Sequence, residues 1–62
     1  MKTMIIENTV YENSIVHTNE KIYPDLETAL TEFDRQGKIY IRAATFPNPM
    51  IDGQTIIINS LI

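Results

Sequence analysis

The sequence predicts an α+β fold, a small β-β-α-β-β domain whose mainly antiparallel sheet carries one helix on one face. Three observations predict it. Leu26, Ala29, Leu30 and Phe33 recur at i, i+3, i+4 and i+7, which gathers four apolar side chains on a single helical stripe. Before and after that stretch lie runs rich in Ile, Val, Thr and Tyr, residue types that suit a pleated, half-buried surface. Turn formers punctuate those runs at Glu12-Asn13 and Asp52-Gly53.

In chain order, residues 3–11 and 14–18 form a hairpin about Glu12-Asn13. Its faces are imperfectly sorted: Met4 and Ile6 alternate, Ile5 stands between them, and Ile15 adjoins Val16. A bulge or a second buried face is therefore expected. Asn19-Glu20-Lys21 reads as a turn or loop leading to the helix, which is placed at about residues 24–36. Asp25 suits its N-cap or first turn, where a carboxylate meets free N–H groups and the positive dipole end, and Pro24 is tolerated there. Gly37 suits the position just beyond the helix, with Arg35 and Lys38 near the negative pole. Residues 38–43 alternate with period two, Ile39, Ile41 and Ala43 pointing one way and Tyr40 and Arg42 the other. Phe46-Pro47-Asn48-Pro49-Met50 cannot continue as an inner strand, because its prolines lack the N–H a ladder needs. After an Asp52-Gly53 turn, Gln54 to Asn59 form the last strand.

Length and composition narrow the rest. The chain has 62 residues, 44% of them hydrophobic, with no cysteine and one histidine. One domain over 1–62 is expected, and neither disulfides, thiolate metal sites nor a His-rich metal site can form. A core this small supplies about 3–5 kcal/mol of net stability, so help from self-association is expected. Eleven isoleucines strengthen that expectation. One helix covers one side of a four-stranded sheet, and the other side, holding Tyr40, Ile57 and the C-terminal Leu61, lacks a cover. A homo-oligomer, with a dimer favoured, follows, either sheet face to sheet face or through edge pairing of the last strand. The net charge of −3 disfavours nucleic acid and anionic membranes. No apolar run could span a bilayer, and Glu7 interrupts the N-terminus before a signal-peptide core forms, so a cytoplasmic location is expected.

Groups for catalysis are sparse. His17 with Glu20 is the one histidine–carboxylate pair close in sequence, Ser14 and Ser60 have no local base, and two glycines sixteen residues apart build no phosphate loop. The expectation is a protein without enzymatic activity, catalytic residues, metal or cofactor. Binding is left. Thr28, Thr31, Glu32 and Arg35 face outward from the helix, and Phe46, Asn48 and Met50 sit on a Pro-stiffened loop that loses little entropy on docking. Arg42 is the candidate for an anionic ligand such as a nucleotide.

The stretch Asp25-Leu26-Glu27-Thr28-Ala29-Leu30-Thr31-Glu32-Phe33-Asp34-Arg35-Gln36-Gly37-Lys38-Ile39-Tyr40-Ile41 resembles the acidic-helix, Gly-Lys, alternating-strand core of short phage and prophage proteins, the YonK family among them. It covers about a quarter of the chain, and the Phe46-Pro47-Asn48-Pro49 segment and Ile-rich C-terminus depart from it. The resemblance implies a mobile-element origin and transfers no functional residue. It also implies a mode of action: stoichiometric binding that blocks a host protein, as inhibitors of CRISPR nucleases and other defences do. A phage-type inhibitor of a host defence protein is therefore the leading expectation. An oligomeric sponge for a nucleotide messenger and a non-catalytic assembly module are the alternatives.

Overall fold

In the computed structural model, which covers residues 1–62, strand pairing extends most of the chain. The strands are β1 (Lys2–Tyr11), β2 (Ser14–Tyr23), β3 (Ile39–Asn48) and β4 (Gly53–Leu61). A helix, α1 (Leu26–Arg35), lies between β2 and β3, and a 3-10 turn at Pro49–Ile51 joins β3 to β4. The strands line up in the order β2-β1-β4-β3.

This topology corrects the expected β-β-α-β-β arrangement with a mainly antiparallel sheet. The sheet is mixed: β1 and β4 pair in parallel at its centre, while β1 with β2 and β3 with β4 are antiparallel. Strands also dominate over the single short helix. The physical reason lies in the crossover. A helix between β2 and β3 returns the chain to the end it left, so those edge strands run the same way, and the inner strand antiparallel to each must then run parallel to the other. The last strand is consequently interior, held between β1 and β3, and has no free edge through which copies could pair.

Several boundaries move as well. β2 does not stop for a loop at 19–21: Asn19, Glu20 and Lys21 pair with Glu7, Ile6 and Ile5. Polar residues are tolerated there because β2 is an edge strand and the ladder, not burial, satisfies its backbone. Phe46 and Pro47 likewise belong to β3, which is the opposite edge, where a missing N–H costs no ladder bond. Of the two explanations for the mixed hairpin pattern, the bulge is present, whereas the second face is open and not buried. Ile5 and Ile6 serve opposite faces, and the β1–β2 register shifts between Thr9 and Val10, leaving Val16 as the extra residue of a bulge. Glu12 and Asn13 both take positive φ, 50° and 65°, as a two-residue hairpin turn matched to the strand twist requires.

The helix is shorter than the expected 24–36. Asp25 is its N-cap, accepting a 2.7 Å hydrogen bond from the Thr28 N–H, and that bond holds the Asp25 carboxyl below its ordinary range. At the other end, the Gly37 N–H donates to the Asp34 carbonyl at 3.0 Å and the Lys38 N–H to that of Phe33 at 3.2 Å, a Schellman closure. Gly37 carries the left-handed φ of 70°, with open space where a Cβ would stand. Gly37→Ala therefore costs conformational energy alone, about 1 kcal/mol, to be read as a small shift of the urea midpoint.

The core is one layer thick. Ala29 and Phe33 of α1 meet Ile5, Ile56, Ile58 and Tyr23 on one side of the sheet, with Leu26, Leu30 and Tyr40 half-buried around them. Tyr40 stands edge-on to Phe33, ring centroids 5.2 Å apart.

Candidate functional site

Strand register sorts the sheet into two faces, since residues paired across strands share a side. Under α1 lie Ile5 with Ile56, Glu7 with Ile58 and Arg42, and Ser60 with Tyr40. Four cross-strand rows make up most of the opposite face: Ile22, Met4, Thr55 and Phe46; then Glu20, Ile6, Ile57 and Ala44; then Thr18, Asn8, Asn59 and Ile41; then Ile15, Val10, Leu61 and Ile39, with Lys2, Gly53 and Asn48 extending it at one end. Thr55, bonded to Asn48, is buried at one end, and the helix, which packs on the other side, leaves the rest of this face uncovered. Ile39 and Ile41 are 69% and 58% exposed, Ile15, Ile22, Phe46 and Leu61 are also exposed, and Met4, Ile6, Val10 and Ile57 are half-buried. Its one carboxylate within the rows, Glu20, sits on edge strand β2. Through the apolar surface runs a single polar chain: Thr18 Oγ1 donates to Asn8 Oδ1 at 2.9 Å, and Asn8 Nδ2 to Asn59 Oδ1 at 3.3 Å.

Ile57 and Leu61 stand on this open face. Tyr40 does not. The alternation of β3 is phased opposite to the natural reading of its isoleucines: Ile39 and Ile41 face outward, and Tyr40 turns under the helix onto Phe33. The reason is that β3 is an edge strand beyond the reach of the short helix's apolar stripe, so the large Tyr ring, and not Ile39 or Ile41, spans the gap to Phe33.

The outward helix residues come together. Thr28, Thr31, Glu32 and Arg35 line one shallow hollow with Asp25 and Glu27. Arg35 pairs with Glu32, whose other oxygen accepts from Gln36 Nε2 at 3.1 Å. The Gln36 bond foremost, with the Arg35 hydrogen bond and charge beside it, holds the Glu32 carboxyl below its ordinary range against an opposing desolvation. The expected loop residues do not join this surface. Phe46 belongs to the open sheet face. Asn48 is structural: its Nδ2 donates to Thr55 Oγ1 at 2.8 Å and its Oδ1 accepts from the Met50 N–H at 3.1 Å, capping the 3-10 turn. Only Met50, 94% exposed, is presented as a docking group would be. Arg42 is exposed on the helix side and lines neither hollow of the surface, the second being formed by Met1, Thr45, Phe46, Pro47, Gly53 and Gln54. No closed pocket around Arg42 exists within one chain for a nucleotide.

His17 and Glu20 likewise fail to meet. Three residues apart on a strand, they fall on opposite faces, His17 paired with Thr9 and Glu20 with Ile6. A different constellation, invisible locally, does form. Lys38 Nζ donates to both carboxylate oxygens of Glu7, at 3.0 and 2.8 Å, and Ser60 Oγ donates to Glu7 Oε2 at 2.7 Å. Burial pushes the Glu7 carboxyl up, but the bonds from Lys38 and Ser60 and the Lys38 charge outweigh it, so Glu7 titrates below its ordinary 4.5. Lys38 also lies 5.1 Å from the Phe33 ring centre. Ser60 and Glu7 are both buried, and Lys38 is the member that reaches solvent. Its chemistry is a clamp that ties β1, β4 and the end of α1 together. Sequence reasoning missed it because its members are 31 and 53 residues apart. The available signal was phase: Glu7 and Ser60 are polar residues at inward positions of Thr3-x-Ile5-x-Glu7 and Ile56-x-Ile58-x-Ser60.

No three His, Asp or Glu side chains cluster to hold a metal ion, and no helix is long and apolar enough to cross a membrane. The fold and its surfaces thus define a small mixed-sheet chain with one clothed face and one bare one. Compared with known proteins, it matches no family model, no curated protein and no solved structure.

Proposed function

We propose that the chain works by stoichiometric protein binding without catalysis, and that it does so as a self-associated species, a dimer being favoured. Its protein target is met by the outward helix surface of Thr28, Thr31, Glu32 and Arg35, with Met50 as an accessory contact. In its narrower form the reading is a phage-type inhibitor of a host defence protein, acting in the host cytoplasm. The observation that carries it is the bare apolar sheet face: a chain that leaves ten large apolar side chains exposed or half-buried on one side is organised for contact. Its reactive side chains support the same reading, being solvated, paired on the helix surface as Glu32 and Arg35 are, or locked in the buried Glu7 clamp.

The test uses the immobilised chain and lysate of a candidate host, with E32K/R35E as the paired control. Expected is one protein recovered at a fixed molar ratio by the wild type and lost with the control. Recovery of nothing specific, or equal recovery by both, defeats the assignment of the helix surface to a target.

A further inference from the structure

We propose that the open sheet face is occupied by a second copy of the chain, two sheets packing face to face about a two-fold axis with both α1 helices outward. The inference rests on the self-association named above and deepens it by assigning the surface.

Four observations favour a copy of the chain over a foreign occupant. The first is area. The longer extents of the molecule, 35 and 22 Å, bound the face at roughly 800 Å², so its full coverage reaches what each partner contributes to a stable interface of standard size. The second is need. Only six hydrophobic residues are fully buried in the single chain, and a face-to-face sandwich gives the bare isoleucines the second layer that sheets of this kind require. The third is charge. Of the chain's charged side chains only Glu20, on edge strand β2, and Lys2, at the start of β1, fall on this face, so its centre carries no charge to complement in a foreign protein and none to repel in its own copy. The fourth is the polar row. Thr18, Asn8 and Asn59 are hydrogen-bonded to one another, yet the Asn59 amide nitrogen donates to no group of its own chain. An amide pair within an apolar interface sets register, because slipped arrangements leave it buried without partners.

Pairing through strand edges is disfavoured by the form of the edges themselves. β3 is interrupted by the register shift at Ala43 and by Pro47, and β2 by its bulge at Val16, which are the features that blunt an edge.

Sedimentation equilibrium tests the inference on the full chain from about 5 to about 500 µM. Expected is twice the 7.1 kDa chain mass, with Ile41→Lys and Ile57→Lys each weakening association about 100-fold. Ile41 is exposed in the single chain, so its variant keeps the far-ultraviolet spectrum of the fold even if Ile57→Lys does not. Because the sequence has no cysteine, single thiols give a second reading: a bismaleimide of about 10 Å reach, matched to the separation of packed sheets, links Ile57→Cys into a covalent dimer and does not link Thr31→Cys on the helix. A wild-type monomer throughout the range overturns both this inference and the self-association it rests on. A dimer that withstands both lysine variants and yields no Ile57→Cys crosslink overturns the face assignment alone.

Discussion

Gly53→Ala is expected to destabilise the protein by about 3 kcal/mol, at the upper end of what overpacking costs. Gly53 opens β4 opposite Lys2 in the central parallel pair, and a methyl group added there would fall onto the Lys2 carbonyl oxygen, with the carbonyl carbon 2.6 Å away. Backbone cannot rotate aside as a side chain can, so either β1 or β4 must shift and the central ladder is disturbed where it starts. In a chain this short a loss of that size lowers the melting temperature by roughly 12–24 °C. Gly37→Ala is the internal comparison, since it meets no atom and carries only the backbone term. Urea titrations of both variants at one fixed protein concentration, which association makes necessary, should rank Gly53→Ala well below Gly37→Ala. Equal midpoints would show that β1 and β4 do not approach as described.

The second large effect concerns the buried clamp. Lys38→Ala leaves the Glu7 carboxylate under the helix with only Ser60 to partner it, at a cost of about 2–3 kcal/mol at neutral pH, less than for a fully enclosed pair because Lys38 is 35% exposed. Its pH dependence is more diagnostic. In the wild type Glu7 titrates lower folded than unfolded, so its contribution is complete above the ordinary 4.5 and disappears as pH falls through the folded value. In Lys38→Ala the largest influence on Glu7 is burial, which raises its pKa, so the penalty is present at pH 7 and is relieved on acidification. Denaturation at pH 7 and at about pH 4 should thus show the wild type losing stability and the variant recovering part of its deficit. Parallel losses in both proteins would mean that the Lys38 contact contributes nothing.

The residues that made the helix legible were those whose signals are local: the stripe from Leu26 to Phe33, the Asp25 cap and the Gly37 stop act within one or two turns. β1 and the two turns at Glu12-Asn13 and Asp52 were legible for the same reason, although Asp52 proves to be the left-handed cap of a 3-10 turn (φ 52°) and not half of a hairpin turn. Illegibility began where a residue's partner is remote. Nothing near Ile39 says that it faces outward and Tyr40 inward, because that phase depends on which strand lies beside β3 and how far the helix reaches. Asn48 looked like a presented loop residue only while Thr55 was not known to lie 2.8 Å from its amide.

Of the two surfaces offered for binding, the helix half was visible in the sequence. Thr28, Thr31, Glu32 and Arg35 lie opposite the apolar stripe, and 3.6-residue periodicity places them without further information. The sheet half was visible only as an excess of isoleucine. Turning that excess into a face of four rows required the register, and the register follows from pairings between residues up to 51 positions apart.

By itself, then, the sequence determined that there would be one short helix between strand-forming segments, that neither disulfides nor a thiolate or His-rich metal site could stabilise them, and that apolar side chains would exceed what one helix can cover. Each of these is a matter of composition or of interactions within a few residues. Tertiary structure alone decided that the central pair is parallel, that β4 is interior, that Glu7, Lys38 and Ser60 meet, and that Ile57 and Leu61 share a bare face from which Tyr40 is absent. Those outcomes depend on how the crossover through α1 brings distant strands side by side, and in a strand a change of register by one residue exchanges every inward side chain for an outward one.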